Sequence, residues 1–398
     1  MSNQRQLKER TFSTVDVEEA VQSRYTESAQ HREEALCCPV EYDPKLLRAI
    51  PQEIVDKDYG CGDPSRYARK GDIVLDLGSG SGKTCYILAQ IVGPEGRVLG
   101  VDMNQEMLGL AIKHKVDVAQ RLGYQNVEFM RARIQDLRLD VDLVDQYLQK
   151  QSIGSAAELE NFERFRNELR TNKPLIPNSS VTLVVSNCVL NLVMQEDRQE
   201  LFAEIFRVLK RGGRAVICDI VSDEDVPLEL QSDPVLWSGC ISGAFREDQF
   251  LGAFEKAGFH GIQILYRAEK PWQTINGIEF RSITVAAYKG KQGPCLERNQ
   301  AVIYKGPWKA VIDDDGHMLY RGERMAVCDK TFKLYTRDDG PYSDSVVPVE
   351  PYAEISLEKA GQFNCSKNAR RHSRETKGAE YNVTQLTDDP CCGPDGCS

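Results

Sequence analysis

A glycine-rich turn directly after a short apolar run constrains the fold of this chain more than any other feature. The run Ile73–Leu75 continues into the motif Asp76-Leu-Gly-Ser-Gly-Ser-Gly82, and apolar runs then alternate with amphipathic ones to about residue 290. Short buried strands that alternate with helices are typical of a parallel sheet covered by helices on both faces. We therefore predict an α/β fold with a Rossmann-like sheet over residues 72–290.

The rest of the sequence divides into parts that differ in composition and in hydrophobic pattern. We predict a helical N-terminal cap over 1–71, a helical insertion at about 138–178, a small and mostly β C-terminal domain over 291–365, and a flexible tail over 366–398. Three local predictions accompany this division: one helix over 44–58, a turn at Arg211–Gly213, and an extended run over Thr331–Tyr335.

Composition excludes several classes of function. The formal net charge is −10, which does not suit a protein whose main partner is the phosphate backbone of a nucleic acid. No apolar run approaches the roughly 20 residues that span a bilayer, and the polar segment Met1–Arg10 lacks the apolar core of a signal peptide. We therefore expect a cytoplasmic protein without a membrane or nucleic-acid partner, and we expect it to be a monomer.

Thirteen cysteines are an odd number, which argues against a full set of structural disulfides. In a reducing compartment, cysteines serve catalysis, soft-ion binding or packing. Cys85, Cys218 and Cys328 lie in apolar patterns, and we predict that they are buried as small apolar side chains. The tail carries a further group, whose members Cys391, Cys392 and Cys397 suit either the capture of soft ions or no role at all.

The glycine spacing distinguishes between two kinds of nucleotide-like ligand. Dinucleotide folds use G-x-G-x-x-G, whereas this motif is acid-x-Gly-x-Gly-x-Gly and resembles the class I S-adenosylmethionine methyltransferases. That resemblance implies that Asp76 holds the methionine ammonium, that Asp102 binds the ribose hydroxyls, and that Met103 packs on the adenine. The donor-binding residues that we predict are Asp76, Gly78, Ser79, Gly80, Gly82, Asp102, Met103, Ile134 and Asn187.

Three cysteines in small or polar surroundings lie near different strands of the predicted sheet. Cys188 comes just after the fourth predicted strand, Cys240 lies in the segment after the fifth, and Cys61 precedes the first. Ligands of open α/β sheets bind at the carboxyl ends of the strands, so these thiols can converge at the donor pocket. Zinc normally takes four ligands, whereas a site with three sulfur ligands suits trivalent arsenic, whose lone pair can attack a sulfonium methyl group.

The cysteine motifs themselves carry a more specific resemblance. The segments Tyr59–Gly62, Val74–Gly82, Ser186–Leu192 and Gly239–Ala244 together resemble the arsenite methyltransferase family over about residues 40–290. Members of that family transfer methyl groups from S-adenosylmethionine to arsenic in arsenic detoxification.

The resemblance implies roles for individual thiols. Cys188 and Cys240 would hold As(III), with Cys61 as a third thiol, and the cysteines would reduce the methylated, pentavalent product by forming a disulfide. Family members often pair the position of Cys61 with a further N-terminal cysteine, for which Cys37 and Cys38 are the candidates here. Thioredoxin or glutathione would then restore the thiols, and arsenite would arrive free or as a thiol conjugate.

Two other functions fit parts of the same pattern. A class I methyltransferase for a small organic acceptor would have an apolar acceptor pocket and would not depend on the cysteines. A non-enzymatic protein that senses or sequesters arsenic would bind arsenite without consuming the methyl donor.

Overall fold

The structure, a computed structural model, describes residues 14–30, 40–57 and 59–377 of the 398-residue chain. It separates into two compact units that divide after Gly290. The predicted redox cysteines Cys37 and Cys38 and the three cysteines of the tail lie outside the described residues.

The first unit is built on one mixed sheet. Its strands are β1 (Ile73–Leu77), β2 (Arg97–Asp102), β3 (Val127–Arg131), β4 (Val181–Asn187), β5 (Leu209–Ser222), β6 (Phe245–Arg246), β7 (His260–Arg267), β8 (Gln273–Ile275) and β9 (Ile278–Tyr288). They lie in the order β3-β2-β1-β4-β5-β9-β7, with β6 beside β5 and β8 beside β9.

Helices precede and connect these strands. They are α1 (Thr14–Gln30), α2 (Pro44–Leu47), α3 (Gln52–Val55), α4 (Lys83–Val92), α5 (Gln105–Leu122), α6 (Val141–Lys150), α7 (Ala156–Asn172), α8 (Arg198–Val208), α9 (Leu228–Gln231), α10 (Pro234–Ser238) and α11 (Glu247–Lys256). The predicted insertion therefore consists of α6 and α7.

Alternate residues of each strand pack into different cores. Leu75 and Leu77 belong to a cluster with residues of α8 and α11, whereas Val74, between them, packs with residues of α4 and α5. Successive side chains of a strand point to opposite faces, so helices cover both faces of the sheet. This confirms the predicted α/β class.

One strand runs against the predicted direction. Strands β1 to β5 pair in parallel, but β9 pairs antiparallel with both β5 and β7. The connection from β7 to β9 contains β8 and lacks a crossover helix, and a short connection of this kind joins antiparallel strands.

Two local predictions in this unit were wrong. The expected helix over 44–58 is broken into α2 and α3 because Pro51 disfavours helical geometry at Ile50 and supplies no N–H of its own. The expected turn at Arg211–Gly213 lies inside β5, where the pairing with β4 shifts register. Gly212 has a φ of 80° there, so the glycine accommodates a bulge within a continuous strand.

The second unit contains short strands and little helix, as predicted. Its elements are β10 (Ala301–Tyr304), β11 (Ala310–Ile312), β12 (Met318–Tyr320), β13 (Arg324–Ala326), α12 (Asp329–Tyr335), β14 (Val346–Val349) and α13 (Ser373–Thr376). The expected extended run over Thr331–Tyr335 is helical instead. Phe332 and Tyr335 are both buried, and a spacing of three places them on one helix face.

No helix in the described part of the chain combines the length and the apolar character that crossing a membrane would require.

Candidate active site

The glycine motif forms the turn between β1 and α4. Gly78 and Gly80 have φ angles of 71° and 52°, in a region that glycine adopts without steric cost. The N–H groups of Gly78 and Ser79 both donate to the carbonyl of Val101, at 2.8 and 3.0 Å. The turn is therefore held against the end of β2.

A cavity of about 240 Å³ opens beside this turn. The side chain of Ser79 lines it, and the Ser79 Oγ is buried without a hydrogen-bond partner among the described residues. A Cβ at Gly80, which also lines the cavity, would meet no atom within 4 Å. The turn thus leaves space and an unused polar group for a ligand, which fits the predicted methyl donor.

Asp102, at the end of β2, fixes the turn from the other side. Its carboxylate accepts hydrogen bonds from the N–H groups of Gly80 and Asn104, both at 2.8 Å. Burial raises the pKa of this carboxyl, and backbone hydrogen bonds oppose the rise. Met103 is 40% exposed and lines the cavity, which suits packing against an aromatic base.

Eight of the nine predicted donor-binding residues line the cavity. The cavity is lined by Asp76, Gly78, Ser79, Gly80, Asp102, Met103, Ile134 and Asn187. Gly82 does not belong to this lining. A Cβ there would come within 2.8 Å of the Phe129 ring, so this glycine allows close packing of α4 against β3.

Helix α1 forms a wall of the cavity that sequence reasoning missed. Tyr25 lines the cavity, and burial, followed by the charge of Cys240, raises the pKa of its hydroxyl. The side chain of Asn104 donates to Thr26 at 3.0 Å, and Arg24 donates to Ser238 at 3.0 Å. This helix therefore bridges the donor side and the cysteine side of the site.

Of the three cysteines predicted to converge, Cys188 lies next to each of the other two. Cys61 and Cys188 are joined by a disulfide, with Cα atoms 5.8 Å apart. The ligand atoms of Cys188, Asp219 and Cys240 all lie within 4.8 Å of one another, and Cys240 Sγ donates to the Cys188 carbonyl at 3.3 Å. The resemblance implied a disulfide of Cys61 with Cys37 or Cys38, which lie outside the described residues, whereas the structure joins Cys61 to Cys188.

Cys188 and Cys240 have unusual backbone geometry. Their φ angles are 61° and 63°, a left-handed conformation that residues with a Cβ adopt at a cost. Both side chains are buried, and Cys188 lines the donor cavity. The fold therefore holds two strained cysteines side by side, and Cys188 is the one that forms part of the cavity wall.

The side chain of Asn187 positions Cys61. Its Oδ1 accepts from the N–H groups of Cys61 and Gly62 at 2.9 and 3.1 Å, and its Nδ2 donates to the Gly62 carbonyl at 2.7 Å. A Cβ at Gly60 would come within 2.0 Å of that Nδ2. Asn187 was predicted to bind the donor. It lines the cavity, but its amide is engaged with the loop that carries Cys61.

Asp219 is a buried acid that sequence reasoning did not select. It accepts hydrogen bonds from the N–H groups of Leu190 and Ile220 and from the side chain of Asn191. Burial raises the pKa of Asp219 to about 7, although backbone hydrogen bonds from Ile220, Asn191 and Leu190 oppose the rise. The carboxyl group holds the turn after Cys188 and lies beside both sulfur atoms. An acid inside the apolar run of β5 was the available signal.

Comparison with known proteins agrees with this geometry. Residues 68–258 match the family described as Methyltransferase domain, and residues 291–381 match a domain of unknown function, DUF8838. The sheet, the glycine turn and the cavity define a class I S-adenosylmethionine-dependent methyltransferase.

Individual relatives show which family of methyltransferases the chain belongs to. The chain is 31% identical to an arsenite methyltransferase of Aquipseudomonas alcaligenes, with 79% of this chain and 86% of the relative covered. It is 30% identical to the human arsenite methyltransferase, over 72% and 70% of the two chains. An arsenic(III) S-adenosylmethionine methyltransferase from Chlamydomonas reinhardtii is similar in structure, with a TM-score of 0.52, 26% identity, and 81% of this chain and 100% of that chain covered. The chain belongs to the arsenite methyltransferase family.

Proposed function

We propose that this protein transfers methyl groups from S-adenosylmethionine to trivalent arsenic bound by Cys188 and Cys240, with Cys61 as a third thiol. The proposal depends on one observation: Cys188 is at once part of the donor cavity wall and within 4.8 Å of the Cys240 sulfur. An arsenic atom shared by these two sulfurs would lie at the cavity.

Arsenite exchange onto the thiols is balanced without a redox step. Each S–As bond replaces an As–O bond, and the thiol proton leaves with the hydroxide as water. Soft sulfur ligands suit this ion. The carboxyl group of Asp219 keeps Cys188 in place through the Leu190 N–H, at 2.9 Å.

The methyl donor supplies an electrophilic carbon, and the arsenic supplies a lone pair. The protein residues need to align the two and exclude water, which is the larger part of such catalysis. Cys188 and Cys240 are buried, and Val189, Leu192 and Val193 contribute apolar cavity wall. The new As–C bond forms as the donor's C–S bond breaks.

The product is pentavalent, and Cys61 supports its reduction. Attack by the Cys61 thiolate on the Cys188 sulfur forms the S–S bond, and the electron pair of the Cys188–As bond stays on arsenic. The disulfide of the structure joins these two residues. A dithiol or monothiol reductant, such as thioredoxin or glutathione, must then reopen it by exchange before Cys188 can bind arsenic again.

Several parts of the prediction concern residues or conditions beyond the described site. Pairing of Cys37 or Cys38 with Cys61 would be an alternative route for the disulfide during turnover. A role in arsenic detoxification, a cytoplasmic location and a monomeric state remain predictions.

One assay separates this function from its alternatives. The purified protein is incubated with methyl-labelled donor, a thiol reductant and arsenite. We expect labelled arsenicals only when arsenite and reductant are both present. Arsenite binding without donor consumption would indicate a sensor. Activity on an organic acceptor that persists in Cys188→Ser would indicate a different methyltransferase.

A further inference from the structure

A second group of three cysteines lies in the C-terminal unit. The sulfur atoms of Cys295, Cys328 and Cys365 all lie within 4.8 Å of one another, and all three thiols are free. The residues that line the donor cavity fall within 21–194, so the two sites share no residue.

Backbone hydrogen bonds bring the three segments together. The Phe363 N–H donates to the Cys295 carbonyl at 2.9 Å, beside a bridge between Leu296 and Gln362. The Asp329 N–H donates to the Leu296 carbonyl at 2.9 Å. The segment of Cys295 is thus tied on one side to the segment of Cys365 and on the other to that of Cys328.

Local hydrogen bonds hold the Cys328 sulfur and the turn that carries Cys365. The Thr331 N–H donates to Cys328 Sγ at 3.4 Å, and the Thr331 hydroxyl lies 3.2 Å from the same sulfur. The Asn364 side chain accepts from the N–H and the hydroxyl of Ser366, at 3.1 and 2.7 Å, which shapes the turn of Cys365. Hydrogen bonds of the surrounding segments therefore hold the three thiols close together.

The accessibility of the cluster suits an entering ligand. Cys328 is fully buried, whereas Cys295 and Cys365 are partly exposed. An ion can therefore approach through the two outer thiols and reach the inner one.

We propose that Cys295, Cys328 and Cys365 form a second arsenic(III) site, which binds the metalloid through three sulfurs without methylating it. The group contains cysteine alone, since no His, Asp or Glu of the described residues joins it. Zinc normally requires a fourth ligand. Trivalent arsenic requires three, and three thiols plus As(OH)₃ give a neutral As(SR)₃ and three waters, with no change of oxidation state.

A binding measurement on the full-length chain tests this site. All cysteines that could compete are first replaced by serine; these are Cys37, Cys38, Cys61, Cys188, Cys240, Cys391, Cys392 and Cys397. Equilibrium dialysis against arsenite under a reductant that lacks vicinal thiols should give one arsenic per chain. X-ray absorption at the arsenic edge should show three As–S bonds.

The matched variants in this background are Cys328→Ser and Cys218→Ser. Serine at 328 can still accept from the Thr331 N–H, so the fold should persist, and an unchanged thermal transition checks this. We expect Cys328→Ser to lose the bound arsenic and Cys218→Ser to keep it. Equal binding by both variants, coordination by only two sulfurs, or preferential binding of Zn²⁺ would overturn the proposal.

The test also separates this site from the proposed methyl transfer, because no donor is present. In the natural sequence background, Cys328→Ser should keep its rate of methyl transfer at saturating arsenite while binding one arsenic fewer. A loss of transfer equal to that in Cys240→Ser would mean that the cluster acts in the reaction itself, and would overturn its assignment as a separate site.

Discussion

The donor half and the acceptor half of the active site are assembled in different ways. The donor half is local: Gly80 and Asp102 are 22 residues apart and bonded directly through the backbone of the glycine turn. The acceptor half joins Cys61 to Cys188 across 127 residues and Cys188 to Cys240 across another 52. The Asp102 carboxylate and the backbone of one turn build the first, whereas side chains such as Asn187 and Asp219 tie distant segments together in the second. A substitution in one half should therefore leave ligand binding by the other half unchanged.

The largest expected effect comes from removing one acceptor sulfur. Cys188→Ser or Cys240→Ser should lower methylation of arsenite and of monomethylarsonous acid by at least about 100-fold, the order of loss that follows when a reacting group is misplaced. Donor affinity, measured by calorimetry, should stay within about twofold, a change of under about 0.5 kcal/mol. Cys61→Ser should lose the first methylation and keep the second. Equal turnover in all three variants would contradict the assignments.

A substitution in the donor half should weaken binding of the methyl donor alone. Asp102→Asn places an amide where two N–H groups now find carboxylate oxygens, so one of those hydrogen bonds is lost. We expect donor affinity to fall roughly tenfold, since a hydrogen bond to a charged group contributes about 1.5–3 kcal/mol. Arsenite binding in equilibrium dialysis should not change. Coupled loss of both ligands would show that the halves are not separate.

The same contrast explains what could be predicted from sequence. The glycine turn, Asp102 and Met103 are encoded within one stretch, so spacing sufficed. Cys188 was predictable because it follows a strand end. The Cys61–Cys188 disulfide and the role of Asn187 depend on distances between remote segments, which no spacing reports. Helix α1 was missed as a cavity wall because its sequence is polar with weak periodicity, and Tyr25 carries no motif.

Asn187→Ala should affect the acceptor half while sparing the turn that binds the donor. It removes three hydrogen bonds to Cys61 and Gly62, leaving the N–H groups of a part-buried loop without their partner. We expect formation of the Cys61–Cys188 disulfide during turnover to slow about tenfold, as befits a misplaced nucleophile. Quenched-flow alkylation with mass spectrometry measures it. Asn187→Asp keeps the oxygen acceptor, so its rate of disulfide formation should lie between those of the unsubstituted protein and Asn187→Ala. An equal loss in both variants would count against this positioning role.

The smallest expected effect is that of Gly60→Ala in a protein that already carries Asn187→Ala. Gly60→Ala alone would place a Cβ within 2.0 Å of the Asn187 amide nitrogen, so the amide must move and disulfide formation should slow as in Asn187→Ala. With alanine already at 187, the colliding amide is absent, and the same Gly60 change should cost little. Residues in direct contact give non-additive effects of this kind. Gly252→Ala, at a helix position with nothing within 4 Å of the new Cβ, serves as the control. Additive losses in the double variant would mean that Gly60 acts through the backbone of its own loop and that Asn187 does not hold Cys61 in place.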